Sequence, residues 1–361
     1  MLAAASASAA TYAYFDLGEG DAYGINNAGQ VVGLSNSGGV HATLWNGAVT
    51  INLGTPDGMA SAAYGISSSG QAAGRVYVQD YGDGTATVWN GTTPTSLGTL
   101  GGLPSYAYGI NSAGQVVGSI QTLPGNNGYQ QAALWAGSTP TLLGALPGGG
   151  FSRATGVNSL GQAVGYSGTA NAGAAHAVLW NGTTPTDLGT LNGSFSQATG
   201  INDAGQIVGL SNSANDLAWH AVVWNGASLT DLGVLGTGRY SQAAGINSAG
   251  QIVGSSETAG DTNQHAVLWN GTVATDLNAF VDPAAAGAGW ILQEANAIND
   301  NGWIVGEAYN SSTGETHAYL LVAIPEPETC ALMLAGLGLL AFAARHARKA
   351  VAQSAHEPRF R

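Results

Sequence analysis

The sequence predicts an all-β fold, a seven-bladed β-propeller closed by an N-terminal strand and followed by a C-terminal transmembrane helix. Three observations carry this. One phrase returns seven times, clearest as GINNAGQVVG (Gly24–Gly33), GINSAGQVVG (Gly109–Gly118), GINDAGQIVG (Gly200–Gly209) and GINSAGQIVG (Gly245–Gly254). Its second residues are Ile25, Ile66, Ile110, Val157, Ile201, Ile246 and Ile298, a spacing averaging about 45 residues, within the range of propeller repeats. Each period also holds four short apolar segments divided by turn signals, the content of one propeller blade. Finally, the last unit stops after HAYLLVAI (His317–Ile324) without a fourth strand, while Tyr12–Gly18 stands alone before the first unit. Supplying that strand would close a ring and remove open sheet edges. A β-solenoid or sandwich array is the alternative, but neither needs this complementary deficit.

Residues 1–11 are small-residue-rich and read as a residual signal peptide or a flexible N-terminus. The repeat body spans 12–324. In the third unit, Ser105–Asn111 alternates and reads as a first strand, and Ser112-Ala113-Gly114 as a turn. Gln115–Ile120, Gln131–Trp135 and Thr139–Gly144 read as the second to fourth strands. In other units the third turn is Asn-Gly, a strong hairpin signal (Asn46-Gly47, Asn181-Gly182, Asn225-Gly226, Asn270-Gly271). Trp45, Trp89, Trp135, Trp180, Trp224 and Trp269 share one position, with Leu321 as the seventh. A bulky ring recurring once per unit reads as a packing wedge between neighbouring sheets rather than a ligand-stacking platform.

The apolar run from Thr329 to Ala344 lies between Pro325-Glu326-Pro327 and a basic cluster, Arg345, Arg348 and Lys349. It predicts a short membrane-spanning helix over about 329–344. The alternative, an amphipathic or core helix, is disfavoured because LMLAGLGLLAFAA has no polar face. Basic residues after the helix put the tail, 350–361, in the cytoplasm and the body outside.

Charge sharpens the functional reading. Met1–Glu328 holds 20 acidic and three basic residues (Arg75, Arg153, Arg239), a formal net of −17. Such a body repels phosphate backbones, which argues against nucleic acid as a partner. Cys330 is the only cysteine, so no intrachain disulfide forms.

The arrangement over Pro325–Lys349 resembles the PEP-CTERM sorting signal of Gram-negative bacteria: a Pro-Glu-Pro motif, a short transmembrane helix and a basic cluster. That resemblance implies export, recognition by an exosortase in the inner membrane, and a surface or extracellular destination associated with exopolysaccharide. The tail beyond Lys349 is longer than the family usually shows. The body, Tyr12–Ile324, resembles the bacterial extracellular HAF-repeat family through its GIN, GQVVG, HAxLW and DLG frame. The tripeptide place reads His41-Ala42-Thr43, His176-Ala177-Val178, His220-Ala221-Val222, His265-Ala266-Val267 and His317-Ala318-Tyr319, with the Phe absent throughout. This resemblance implies an exported repeat protein and transfers no catalytic residue.

The histidines do not predict a metal centre, because equivalent positions around a ring are too far apart to converge on one ion. A structural bond to a neighbouring loop is the better reading. Asp80 and Asp83 form an acidic loop that lacks calcium-loop spacing and reads as a solvated hairpin tip. No catalytic motif or cofactor signature is present, and the chain is expected not to be an enzyme. The units differ at one place, the first x of S-x-A-x-G-I-N: Asp21, Ala62, Tyr106, Arg153, Gln197, Gln242 and Glu294. On an innermost strand these would ring a channel mouth. Asp21, Arg153 and Glu294 are the candidates for polar ligand contacts and Tyr106 for stacking; the alternative is free drift at solvated positions. The expectation is a membrane-tethered surface or matrix module that binds exopolysaccharide or surface proteins. The alternatives are a polysaccharide lyase or hydrolase on the same scaffold, or a purely structural spacer.

Overall fold

The computed structural model describes residues 11–55, 59–77, 84–122, 130–171, 173–258 and 264–324. The predicted helix at 329–344, the Pro325-Glu326-Pro327 motif, the basic cluster Arg345, Arg348 and Lys349, and the Asp80/Asp83 loop lie outside them. Tyr14–Val322 is one compact unit; the other is Met1–Ala13 with Ala323–Arg361, described only at 11–13 and 323–324.

The described chain is all-β, built from several antiparallel sheets. The second repeat forms Ala60–Ile66, Ala72–Tyr77, Gly84–Asn90 and Thr93–Ser96, in sheet order. The third forms Ser105–Ile110, Val116–Gln121, Gln130–Trp135 and Pro140–Leu142, within two residues of the sequence reading. The sixth repeats the pattern over Ser241–Ile246, Gln251–Glu257, Gln264–Asn270 and Val273–Asp276. A parallel bridge, Ala175 to Phe195, fuses the fourth and fifth repeats into a larger sheet.

The first and last repeats share one seven-stranded sheet. The long strand Thr11–Ile25 lies between Thr316–Ile324 of the last repeat and Gln30–Ser35 of the first. One strand therefore completes the seventh unit and then opens the first. His317 Nδ1 meets the Asp16 carboxylate at 2.9 Å across this join.

The core repeats with the sequence. Trp89 packs with Val32, Ala42 and Leu53 of the preceding unit, and Trp135 with Ala73, Ala86 and Leu97. Trp180, Trp224 and Trp269 do likewise. Trp45 of the first unit packs with Val305 and Ala318 of the seventh. Each ring is thus a wedge between successive sheets, worth about 3–5 kcal/mol if truncated to alanine.

A second series of contacts runs from unit to unit through the Asn of the repeated phrase. Asn111 donates to the carbonyl of Asn158, Asn158 to Asn202, Asn202 to Asn247, Asn247 to Asn299, and Asn299 to Asn26. Asn26 donates to the carbonyl of Ser67. These buried amides satisfy carbonyls that would otherwise be stranded. The second unit carries Ser67 in place of Asn, and its hydroxyl pairs locally with Ser69.

Three short helical elements are absent from the repeat-based reading, two of them single 3-10 turns at Ala214–Asp216 and Leu277–Phe280. Pro283–Gly287 forms a short helix between the sixth and seventh units, with the Asp282 carboxylate accepting from the amides of Ala284 and Ala285. Asp followed by Pro is the start signal for such a turn.

Candidate functional site

The glycine that closes the repeated phrase sets the geometry of the candidate site. At Gly33, Gly118, Gly165 and Gly306 a Cβ would overlap the carbonyl oxygens of Asp21, Tyr106, Arg153 and Glu294 respectively. The second strand therefore presses against the backbone of the variable residue, at a β-bulge in every unit. The shared frame holds the variable side chains at fixed places. Below them, Gly-Ile or Gly-Val pairs and their equivalents from all seven units line one cavity of about 210 Å³, which includes Ile25, Ile66, Ile110, Val157, Ile201, Ile246 and Ile298.

Register puts a second variable set opposite the first. Arg75 faces Ala62, Tyr166 faces Arg153, and Glu307 faces Glu294. Sequence reasoning missed this set. Its signal was available: the residue after the closing Gly of the phrase also changes from unit to unit.

Asp21, Glu294 and Glu307, from the first and seventh units, form an acidic arc. Tyr23 donates to the Asp21 carboxylate at 3.1 Å. Burial raises Asp21 above the usual carboxylate range, against hydrogen bonds from Tyr23 and Glu307 that lower it. Glu294 reaches solvent at its edge, yet desolvation and then Asp21 raise it. Burial, the charges of Asp21 and Glu294, and its hydrogen bond to Asp21 push Glu307 to about 7. Near neutral pH Glu307 is thus close to half protonated, with its hydrogen bond directed at the Asp21 carboxylate.

Arg75 and Arg153 dominate the second arc. The Arg75 guanidinium lies 4.4 Å from the Tyr77 ring and 5.5 Å from that of Tyr106. Arg153 lies 5.2 Å from Tyr108 and 5.7 Å from Tyr166. Tyr106 and Tyr108 are parallel, 6.3 Å apart. Arg153 donates to Gln130 at 3.0 Å. Burial raises Tyr64 and Tyr108, and the positive charges of Arg75 and Arg153 respectively oppose that rise.

The four predicted residues thus fall into two groups. Asp21 and Glu294 act on each other's ionisation together with Glu307. Tyr106 and Arg153 are linked through Tyr108. A ladder of rings, Tyr23 to Tyr64 at 5.2 Å and Tyr64 to Tyr108 at 5.8 Å, joins the two arcs.

Four of the five repeated histidines bond an aspartate, His317 reaching Asp16, while His41 Nδ1 is buried without a hydrogen-bond partner. His176, His220 and His265 each bond the Asp of the fourth strand in their own unit, Asp187, Asp231 and Asp276. Their partner is therefore the neighbouring strand rather than a loop. Desolvation would raise Asp276, but hydrogen bonds from His265 and Asn278 outweigh it and hold it low. No group of three or more metal-ligating side chains occurs among the described residues.

Residues 323–349 match the PEP-CTERM protein-sorting motif. This signal implies an exported, exosortase-processed surface protein. No curated protein sequence matches the chain. Among solved structures, TolB from Acinetobacter baumannii is similar over 86% of this chain, at 10% identity and a TM-score of 0.44. The match covers 65% of the TolB chain.

Proposed function

We propose that this chain is a membrane-tethered surface module whose body is a seven-bladed β-propeller of HAF-type repeats, and that one mouth of its channel binds exopolysaccharide. The Trp wedges and Asn amides that link successive units support the propeller reading. The binding reading is carried by one observation: variable residues of different units meet, Asp21 with Glu307, Arg75 with Tyr106, and Arg153 with Tyr108. Half-buried tyrosines there offer faces on which the apolar side of a sugar ring stacks, with charged groups beside them for hydroxyls. In this reading the 329–344 helix holds the protein in the inner membrane with its tail in the cytoplasm until exosortase processing. A glycan array probed with the full chain in detergent tests the binding. Retention of at least one polysaccharide is expected; no retention of any acidic or neutral polysaccharide overturns it. Replacing Pro325, Glu326 and Pro327 with alanine tests the tether, and is expected to leave the chain uncut in the membrane fraction.

A second reading, a polysaccharide-cleaving enzyme, has one specific observation in its favour. Glu307, close to half protonated near neutral pH and hydrogen-bonded to Asp21, forms with it an acid–base pair of the kind glycoside cleavage uses. Release of reducing ends from a bound polysaccharide, lost in Glu307→Gln, would establish it. Binding without release leaves the module non-catalytic.

A further inference from the structure

The body carries three arginines against 20 carboxylates between Met1 and Glu328, yet two of the three stand at one mouth of the channel. Neither makes an ion pair among the described residues, where the four ion pairs all join His to Asp. The Nε of Arg75 and the Nε of Arg153 are both buried without a hydrogen-bond partner. Each guanidinium is instead held between two tyrosine rings: Tyr77 and Tyr106 for Arg75, Tyr108 and Tyr166 for Arg153. A partly buried cation is ordinarily matched by an anion. With so many carboxylates available in the chain, two unmatched guanidiniums at one place are a specific arrangement. Stacking fixes their planes; Arg153 also donates to Gln130 and Arg75 to Tyr64, both neutral partners, so neither positive charge is met by a carboxylate.

We propose that the Arg75–Arg153 arc is a subsite for an acidic saccharide, a uronate unit in a short stretch of chain. The guanidiniums take the carboxylate, while Tyr106 and Tyr108 take the sugar faces. This rests on the saccharide-binding reading above and names its ligand class. The acidic arc does not veto it. Asp21, Glu294 and Glu307 belong to the first and seventh units, and the arginines to the second and fourth. The same net charge disfavours a long polyanion, so recognition is expected to saturate at a few sugar units.

The test is calorimetric titration of the full chain in detergent with trigalacturonate and with its full methyl ester, the same skeleton without charge. Trigalacturonate is expected to bind at least tenfold more tightly, and to weaken when salt rises from 50 to 500 mM. Arg75→Gln and Arg153→Gln are each expected to weaken it about tenfold, with Arg153→Lys in between. The wild-type comparison needs no variant to fold; thermal melts check those that are used. Equal binding of the acid and its ester overturns this inference and leaves the saccharide-binding reading standing. Failure of both, with retention of another glycan on the array, does the same. Failure of both with an empty array overturns the two together.

Discussion

The two arcs of variable residues occupy equivalent backbone positions and carry opposite chemistry. Glu294 and Arg153 stand at the same place in their units, each with its carbonyl against the closing glycine of the phrase, Gly306 or Gly165. Glu307 and Tyr166 face them across the same register. In the acidic arc like charges crowd, and a proton relieves them. In the other, cations alternate with rings and need no proton. The frame thus fixes where side chains project, and only the residue placed there decides what the mouth attracts.

The comparison breaks most severely at the frame. Gly165→Val and Gly306→Val should each cost about 3 kcal/mol or more, because the new side chain collides with backbone rather than a yielding side chain. Similar losses in denaturant melts are expected for both arcs; a tolerated Gly306→Val alongside a failed Gly165→Val would show that the arcs do not share one geometry.

Protonation separates them next. Glu307 titrates in the folded chain at about 7, against 4.5 in its ordinary state. Its raised value means that the unfolded chain loses the proton first. Stability therefore falls as pH rises from about 4.5 to about 7, then levels off. Glu307→Gln keeps the side-chain donor and removes the Glu307 part of this slope, while raised Asp21 and Glu294 keep theirs. The variant should gain about 1–2 kcal/mol at pH 8, discounted for partial solvent access, and nothing below pH 4. Arg75→Gln should leave the slope intact while losing about 0.5–2 kcal/mol of ring contact. Thermal melts at pH 4, 6 and 8 separate these outcomes.

The smallest effect concerns the joins. His317→Ala removes a pair that ties the first unit to the seventh, and His220→Ala a pair within one sheet. Both pairs are largely solvent-exposed and should cost about 1 kcal/mol or less. A markedly larger loss for His317→Ala, read by hydrogen exchange in Thr316–Ile324, would mark that join as the weaker place.

Much of the strand pattern was legible because repetition multiplies weak signals. The third unit's strands fall where alternation and turns put them, and the unpaired Tyr12–Gly18 segment matches the missing strand. The Pro283–Gly287 helix was hidden because it belongs to no repeat. The candidate site was half legible. Asp21, Tyr106, Arg153 and Glu294 stood out as differences within a constant phrase. Arg75, Tyr166 and Glu307 did not, because their link to that set is cross-strand register, a property of pairing rather than of chain order. The grouping into two arcs was equally invisible, since it depends on which units become neighbours at the join.

The contact between Asp16 and His317 spans 301 residues. Closing so long a loop is entropically costly and slow, because none of its gain comes before nearly the whole body has been made. The last strand ends at Ile324, immediately ahead of Pro325-Glu326-Pro327. Completion of the final sheet therefore coincides in chain order with arrival of the sorting motif. A chain stopped short of residue 316 presents an unpaired N-terminal edge, the kind of edge that recruits other strands and exposes a defective product to proteases. Because first and last units share one strand, this sheet is completed only on a chain that extends through its last strand.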